Sequence, residues 1–340
     1  MEGETLKEGQ GRLSGTRKYY GQGKAPRKGT EAGKGRKGHI KKSVGHLFKT
    51  PRERYGFMMK YENVHSVEQM CRVLGVKRSG YYKFKSNPLS RRNMEEEKLL
   101  PEIKRVYDGS KGVYGSPRIA ASLNQNGIKC SRPRIARIMK KNGIRSRIRK
   151  SYKKTTNSDH GIKTAPDLLK GNFTADAPDR VYVSDITYIR TYEGWLYLTA
   201  IIDLFNREVV AHHRSKTLFA KDTTIPALLK ALKARKPGKG LIFHSDKGVQ
   251  YACRDFRELL KKSGIIQSMS YKCYDNAPSE SFFKTLKSEL IYLRKGGYPT
   301  RKEAEMEIFE YIECFYNTKR LHSYISYSSP RDYMRRCVAA

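Results

Sequence analysis

Residues 181–205 read VYVSDITYIRTYEGWLYLTAIIDLF, and this stretch decides the fold. β-Branched and aromatic residues fill both halves, and Glu193-Gly194 separates them. Such runs joined by a short turn read as paired antiparallel strands. A third run, EVVAHHRS (208–215), follows Asn206-Arg207 and extends the meander. Next come a helical stretch near 219–234, a strand in GLIFHSD (240–246), a helix at 251–263, a short strand in GIIQSMS (264–270) and a long helix from about 276. Three strands followed by alternating helix and strand predict an α/β domain on a mixed sheet.

Upstream the pattern is helical. Ser116-Pro117 starts one helix, which ends at Asn126-Gly127. Ser131 caps the next, RPRIARIMKKNG (132–143). It turns Ile135, Ile138 and Met139 inward, and Arg132, Arg134, Arg137, Lys140 and Lys141 outward. A basic face opposite an apolar one suits a helix lying on DNA; a solvated charged surface is the plainer reading. Pro101 sits awkwardly in the preceding helix and marks its expected start. Residues 66–84, SVEQMCRVLGVKRSGYYKF, read as two short helices about Gly75, with Ser66 and Gln69 forming a capping box. This is helix-turn-helix-like.

Residues 1–58 carry 12 of the 28 glycines and little apolar periodicity, which predicts disorder. The segment reads either as a basic arm tracking DNA phosphates or as sequence upstream of the true start, with Met58 or Met59 opening the structured part. The expected division is a disordered arm (1–58), a helix-turn-helix-like segment (59–94), a helical DNA-binding module (95–150), a linker (151–175), the α/β domain (176–295) and a helical extension (296–340).

Lysine and arginine number 70 against 33 acidic residues, a net charge of +37 in 340 residues. The first 60 residues hold 16 basic and 5 acidic groups, so most of the excess lies in the ordered part. A surplus of this size points to a polyanionic partner, most often nucleic acid. The six cysteines are scattered, without CxxC or zinc-site spacing, and read as reduced thiols in a cytoplasmic protein. No run approaches the length of a membrane span.

The acids fall at the ends of neighbouring elements. Asp185 lies in the first strand, Asp246 ends the fourth and Glu280 starts the last helix. Three such carboxylates can converge on one point. Carboxylate oxygens suit Mg²⁺ or Mn²⁺, and bound ions of this kind support in-line phosphoryl displacement. Any one Asp, taken alone, reads more simply as a turn or cap residue. Asp203 reads as structural support, Asp275-Asn276 as a helix cap and His244 as a hydrogen-bonded strand residue.

From about residue 95 to 333 the chain resembles the OrfB-type insertion-sequence transposases, relatives of retroviral integrases. The stretches that carry the resemblance are VSDITYI, WLYL, HSDKGVQY, SMS, YDNAPSESFFKTLKSEL, YIECFYNTKRLHS and SSPRDY. It implies a ribonuclease-H-like integrase core with an Asp-Asp-Glu triad matching Asp185, Asp246 and Glu280, spaced 61 and 34 positions apart. Lys287 matches the family's basic residue seven positions after the glutamate. On a helix Lys284 and Lys287 share the face of Glu280, so both are candidate DNA contacts. The resemblance also implies double-stranded DNA as partner, a homo-oligomer on two element ends, an upstream-frame subunit and a bacterial, nucleoid-associated location. One departure stands out: the loop before the glutamate, at SYKCYDNA, is two residues shorter than is usual in the family. A stand-alone nuclease and a catalytically impaired repressor are the alternatives.

Overall fold

The computed structural model describes residues 48–87, 91–148, 164–270 and 276–339. The chain divides into two compact units, Met1–Ser90 and Arg91–Ala340. No helix among the described residues is long and apolar enough to cross a membrane.

The first unit holds three helices, α1 (Pro51–Tyr61), α2 (Val67–Leu74) and α3 (Arg78–Ser86). They close on Met58, Met70, Cys71, Leu74 and Tyr81. Ser66 accepts from the Gln69 amide, and Gly75, at φ 64°, ends α2 in the left-handed conformation that glycine adopts without steric cost. The expected disorder of 1–58 is corrected at its C-terminal end. Thr50 and Glu53 form a complete capping box, with Pro51 in the first turn, and α1 begins there. Residues 1–47 lie outside the described residues.

The second unit opens with α4 (Arg91–Gly109), α5 (Ser116–Gln125) and α6 (Arg132–Lys141). α4 runs through Pro101 instead of starting there. Glu97 and Pro101 are both exposed, so the carbonyl that loses its helical donor faces water. Ser131 occupies the N-cap of α6 without a side-chain bond.

The sheet contains β1 (Val181–Thr191), β2 (Gly194–Asp203), β3 (Val209–Ser215), β4 (Ile242–Ser245) and β5 (Ile266–Met269). Their order is β3-β2-β1-β4-β5. The first three form the expected antiparallel meander, and β4 and β5 add in parallel. The intervening helices are α7 (Thr224–Arg235), α8 (Val249–Ala252) and α9 (Arg254–Lys262). The expected single helix at 251–263 is broken by Cys253, whose backbone is extended. α10 (Ala277–Glu289) and α11 (Arg301–Phe309) follow, then a π-helical turn (Glu310–Tyr316) and α12 (Pro330–Val338).

Strand side chains alternate between the two faces. On one face Tyr182, Ile201 and Ala211 pack with Leu228, Phe243, Tyr251 and Phe256. On the other, Val183, Leu198, Ala200 and Ile202 pack with Phe282, Phe283 and Leu286 of α10. Each fully buried side chain of this size contributes about 1.5–3 kcal/mol.

This second core does not stop at the sheet. It continues into Ile103, Ile119, Leu123, Ile135 and Ile138 of α4 to α6 and into Ile308, Ile312 and Phe315 near the C-terminus. α4 to α6 share one interior with the sheet. Of the expected linker, 151–163 lies outside the described residues, and its last part is fastened to β5. Leu168 N–H donates to Ser268 Oγ at 2.9 Å, and Leu169 is buried.

Candidate active site

The site follows from strand register. The parallel β1–β4 pair sets Val183 against His244 and Ser184 against Ser245. One further step brings Asp185 beside Asp246. Val183 and His244 are buried; Asp185, two positions after Val183 in β1, shares its face, and Asp246 follows the last residue of β4. This is the face covered by α10, whose first turn carries Glu280.

Two anchors fix the approach of that helix. Phe282, Phe283 and Leu286 bury its apolar side. Asn276, its N-cap residue, donates from Nδ2 to the Ser184 carbonyl at 2.9 Å. The other amide atom, Asn276 Oδ1, is buried without a hydrogen-bond partner. From the opposite face Ser184 Oγ meets the Tyr251 hydroxyl at 2.8 Å. β1 is thus held on both sides at the residue before Asp185.

Asp185 feels the charges of the other two carboxylates. Burial pushes the Asp185 carboxyl up to about 8, and the charges of Asp246 and then Glu280 push the same way. The Ile186 amide, donating to Asp185 Oδ1 at 2.7 Å, and the Lys287 ammonium oppose them. Partial burial raises the Glu280 carboxyl. Burial lowers the Lys287 ammonium, against the attraction of Asp185. Asp246 Oδ1 accepts from Gly248 N–H at 3.0 Å, which turns the chain sharply after β4.

The donors are all carboxylate oxygens, the set that hard divalent cations prefer. Like charges gathered around a desolvated carboxylate are a charge deficit that a cation would relieve. The residues therefore fit a magnesium-type ion in kind. Among the described residues no three His, Cys, Asp or Glu side chains already stand as a closed metal cage.

Comparison with known proteins adds the family. Residues 175–273 and 280–336 match integrase core domains, and residues 94–152 match an HTH-like domain. The chain is 42% identical to the insertion element IS600 uncharacterized 31 kDa protein of Shigella sonnei over 269 residues, 78% of this chain and 98% of that one. It is 34% identical to transposase InsF for insertion sequence IS3A of Escherichia coli, over 84% of this chain and 100% of that one. The chain belongs to the OrfB-type transposases of the IS3 family. The transposase for insertion sequence element IS904 of Lactococcus lactis is 39% identical over 72% of this chain and 96% of its own. Among solved structures, the HTLV-2 integrase catalytic core domain in complex with magnesium aligns at 17% identity and TM-score 0.35, over 46% of this chain and 96% of that one.

This transposase is thus a DNA-binding polynucleotidyl transferase of the DDE class with a ribonuclease-H-like core. Several sequence-predicted positions look different in place. Lys287 reaches the neighbourhood of Asp185, whereas Lys284 points to the exposed side of α10. Of the five basic residues on the outward face of α6, Arg134, Arg137 and Lys141 have partners within the chain. Arg134 meets Glu95 at 2.9 Å, and Arg137 and Lys141 meet Glu96 at 2.9 and 3.5 Å. Glu96 is buried, so these cations also clamp α6 to α4. Lys140 is exposed.

Asp203 belongs to the opposite face of the sheet, in register with Tyr182. It accepts from the Asp179 and Phe205 amides at 2.9 Å each and serves the β2–β3 corner. His244 bonds Ser268 Oγ through Nδ1 at 2.9 Å, joining β4 to β5. The role of Asn276 as a tie to β1 escaped the sequence. An Asn before an apolar helix signals a cap, and nothing local says that its amide crosses to another strand.

Proposed function

We propose that Asp185, Asp246 and Glu280 are the metal-binding carboxylates through which this transposase cuts and joins the ends of its insertion sequence. The observation that supports it most directly is the β1–β4 register, whose last pair, Ser184 with Ser245, immediately precedes Asp185 and Asp246. Bound Mg²⁺ or Mn²⁺ would supply an activated attacking oxygen and neutralise charge on the leaving one. Asp185 and Asp246 offer their part of the donor set from the sheet, and Glu280 brings the third carboxylate on a helix. Lys287 places a cation beside Asp185, where a scissile phosphate needs charge compensation. A water attacks in the cutting step and a DNA 3′-hydroxyl in the joining step. No covalent enzyme intermediate is required, because orientation and charge do the work.

The remaining assignments belong to the same reading. Arg134, Arg137, Lys140, Lys141, Lys284 and Lys287 are DNA contacts, with Lys140 and Lys287 the best placed. The partner is double-stranded DNA at the element ends and the target. A homo-oligomer joins two ends, with an upstream-frame subunit supplying further end recognition. The site of action is the bacterial nucleoid. The division into a basic arm, helix-turn-helix-like segment, DNA-binding helices, linker, core and extension is proposed as the functional map.

The test is strand transfer with a duplex carrying the end of the encoding element. Asp246→Asn is expected to abolish both nicking and joining in Mg²⁺ and in Mn²⁺. Undiminished activity would sink the assignment, and nicking without joining by the unaltered protein would favour a stand-alone nuclease.

A further inference from the structure

A second buried charge cluster lies at the far end of the helix that carries Glu280. Glu289 ends α10, and its side chain is 2% exposed. Arg320 grips it with two parallel bonds, Nε to Oε2 at 2.8 Å and Nη2 to Oε1 at 2.7 Å. The Tyr311 hydroxyl, from the π-helical turn, donates to Oε2 at 2.8 Å. These three bonds, from two residues, already engage both carboxylate oxygens.

A second guanidinium is nevertheless present. Arg118 of α5 lies 3.6 Å from Glu289 Oε1, and its Nε donates to the Leu321 carbonyl at 2.9 Å. Tyr114, just before α5, donates to the Lys319 carbonyl at 3.2 Å and accepts from Leu321 N–H at 2.8 Å. Burial and the Arg320 charge both work against the Arg118 cation. Two buried cations on one anion cost more than one, so neutralising Glu289 does not account for Arg118. What Arg118 does is join three segments: the DNA-binding helices, the 319–322 stretch and the end of α10.

We propose that Arg118 is a positioning residue that couples DNA held by α4 to α6 to the seating of α10, and so to the placement of Glu280 beside Asp185 and Asp246. The inference rests on the reading of Glu280 as third carboxylate. Glu280 and Glu289 lie about 14 Å apart along one helix axis, and a helix transmits a shift at one end to the other. DNA that moves or stiffens α5 acts on Arg118, and Arg118 acts on the end of α10.

The experiment uses the full chain, the element-end duplex and Mg²⁺. Arg118→Ala leaves Glu289 paired with Arg320 and Tyr311. Expected are a duplex affinity within about twofold, cleavage at saturating duplex lower by about tenfold or more, and partial rescue by Arg118→Lys. The distinguishing readout is amide hydrogen exchange of 277–289, which DNA slows in the unaltered protein and no longer slows in Arg118→Ala. Unchanged cleavage and exchange overturn the proposal. So does loss of affinity in step with cleavage, which marks a merely structural role. If Arg118→Ala does not fold, Tyr114→Phe cuts the bonds to 319–321 while keeping the ring. It is expected to lose the DNA-dependent slowing, and retained slowing overturns the idea. Glu280→Gln separates the two readings. An active Glu280→Gln defeats the triad, whereas an inactive one beside a fully active Arg118→Ala defeats only the coupling.

Discussion

Asn276 Nδ2 lies 2.9 Å from the Ser184 carbonyl, so the residue that opens α10 is bonded to the residue that precedes Asp185. Two elements far apart in sequence are thereby tied together one residue before Asp185 and four before Glu280. Asn276→Ala removes the tie and is expected to lower cleavage about 10- to 100-fold through misplacement of Glu280. Binding of the duplex should change little. Asn276→Asp should be no better, because a carboxylate cannot donate to the carbonyl. Full activity in either variant would show that apolar packing alone seats the helix.

A divalent ion should stabilise the fold. At about a hundredfold excess over its dissociation constant, a ligand binding only the native state adds about 2.7 kcal/mol. Thermal melting in Mn²⁺ against chelator should therefore rise by several degrees in the unaltered protein. Asp246→Asn should lose most of that rise. An equal rise in both would place the ion elsewhere.

Asp203 gives a pH signature unconnected with the reaction. Burial raises its carboxyl from 3.8 to about 6. The folded state then binds the proton more tightly than the unfolded state. Its contribution to stability is fully present below the unfolded value and is lost as pH rises from about 4 to about 6, a change of about 3 kcal/mol. Urea midpoints of the unaltered protein and Asp203→Asn, compared across this window, should differ by a falling amount as pH rises. A constant difference would refute the raised value.

Arg137 and Lys140 should separate in their effects. Arg137 lies against the buried Glu96 carboxylate, whereas Lys140 is exposed. Lys140→Ala is expected to reduce the slope of log affinity against log salt by about one. Arg137→Ala should lower the melting temperature by a few degrees and change that slope less. The reverse pattern would mean that the ion pair opens when DNA binds.

The legible and illegible parts of the sequence differ in range. β-Branched and aromatic runs in VYVSDITYI and LIFHS put Asp185 in one strand and Asp246 at the end of another, and the turn residues gave the meander. The parallel β1–β4 register was not legible, because it depends on contacts some sixty positions apart. Glu289 and Arg320 gave no signal either. Each reads alone as a surface charge, and only folding brings them together away from water. The merger of α4 to α6 with the core was hidden for a similar reason. Val113 and Tyr114 are buried, though they sit in a glycine-containing turn that reads as surface loop. α1 was missed despite a local signature, since glycine and charge content upstream outweighed Thr50 and Glu53.

The shared interior of α4 to α6 and the sheet has a consequence for how this transposase measures DNA. A reading head on a flexible tether would let the cut fall at a range of positions. Here the path from those helices to Asp185 runs through packed side chains such as Ile119, Ile138 and Leu198. The number of base pairs between the contacted stretch and the severed phosphate is then a property of the protein's interior, as the span of a caliper belongs to its frame. Elements whose ends carry an inserted half-turn between those points should be held and not cut.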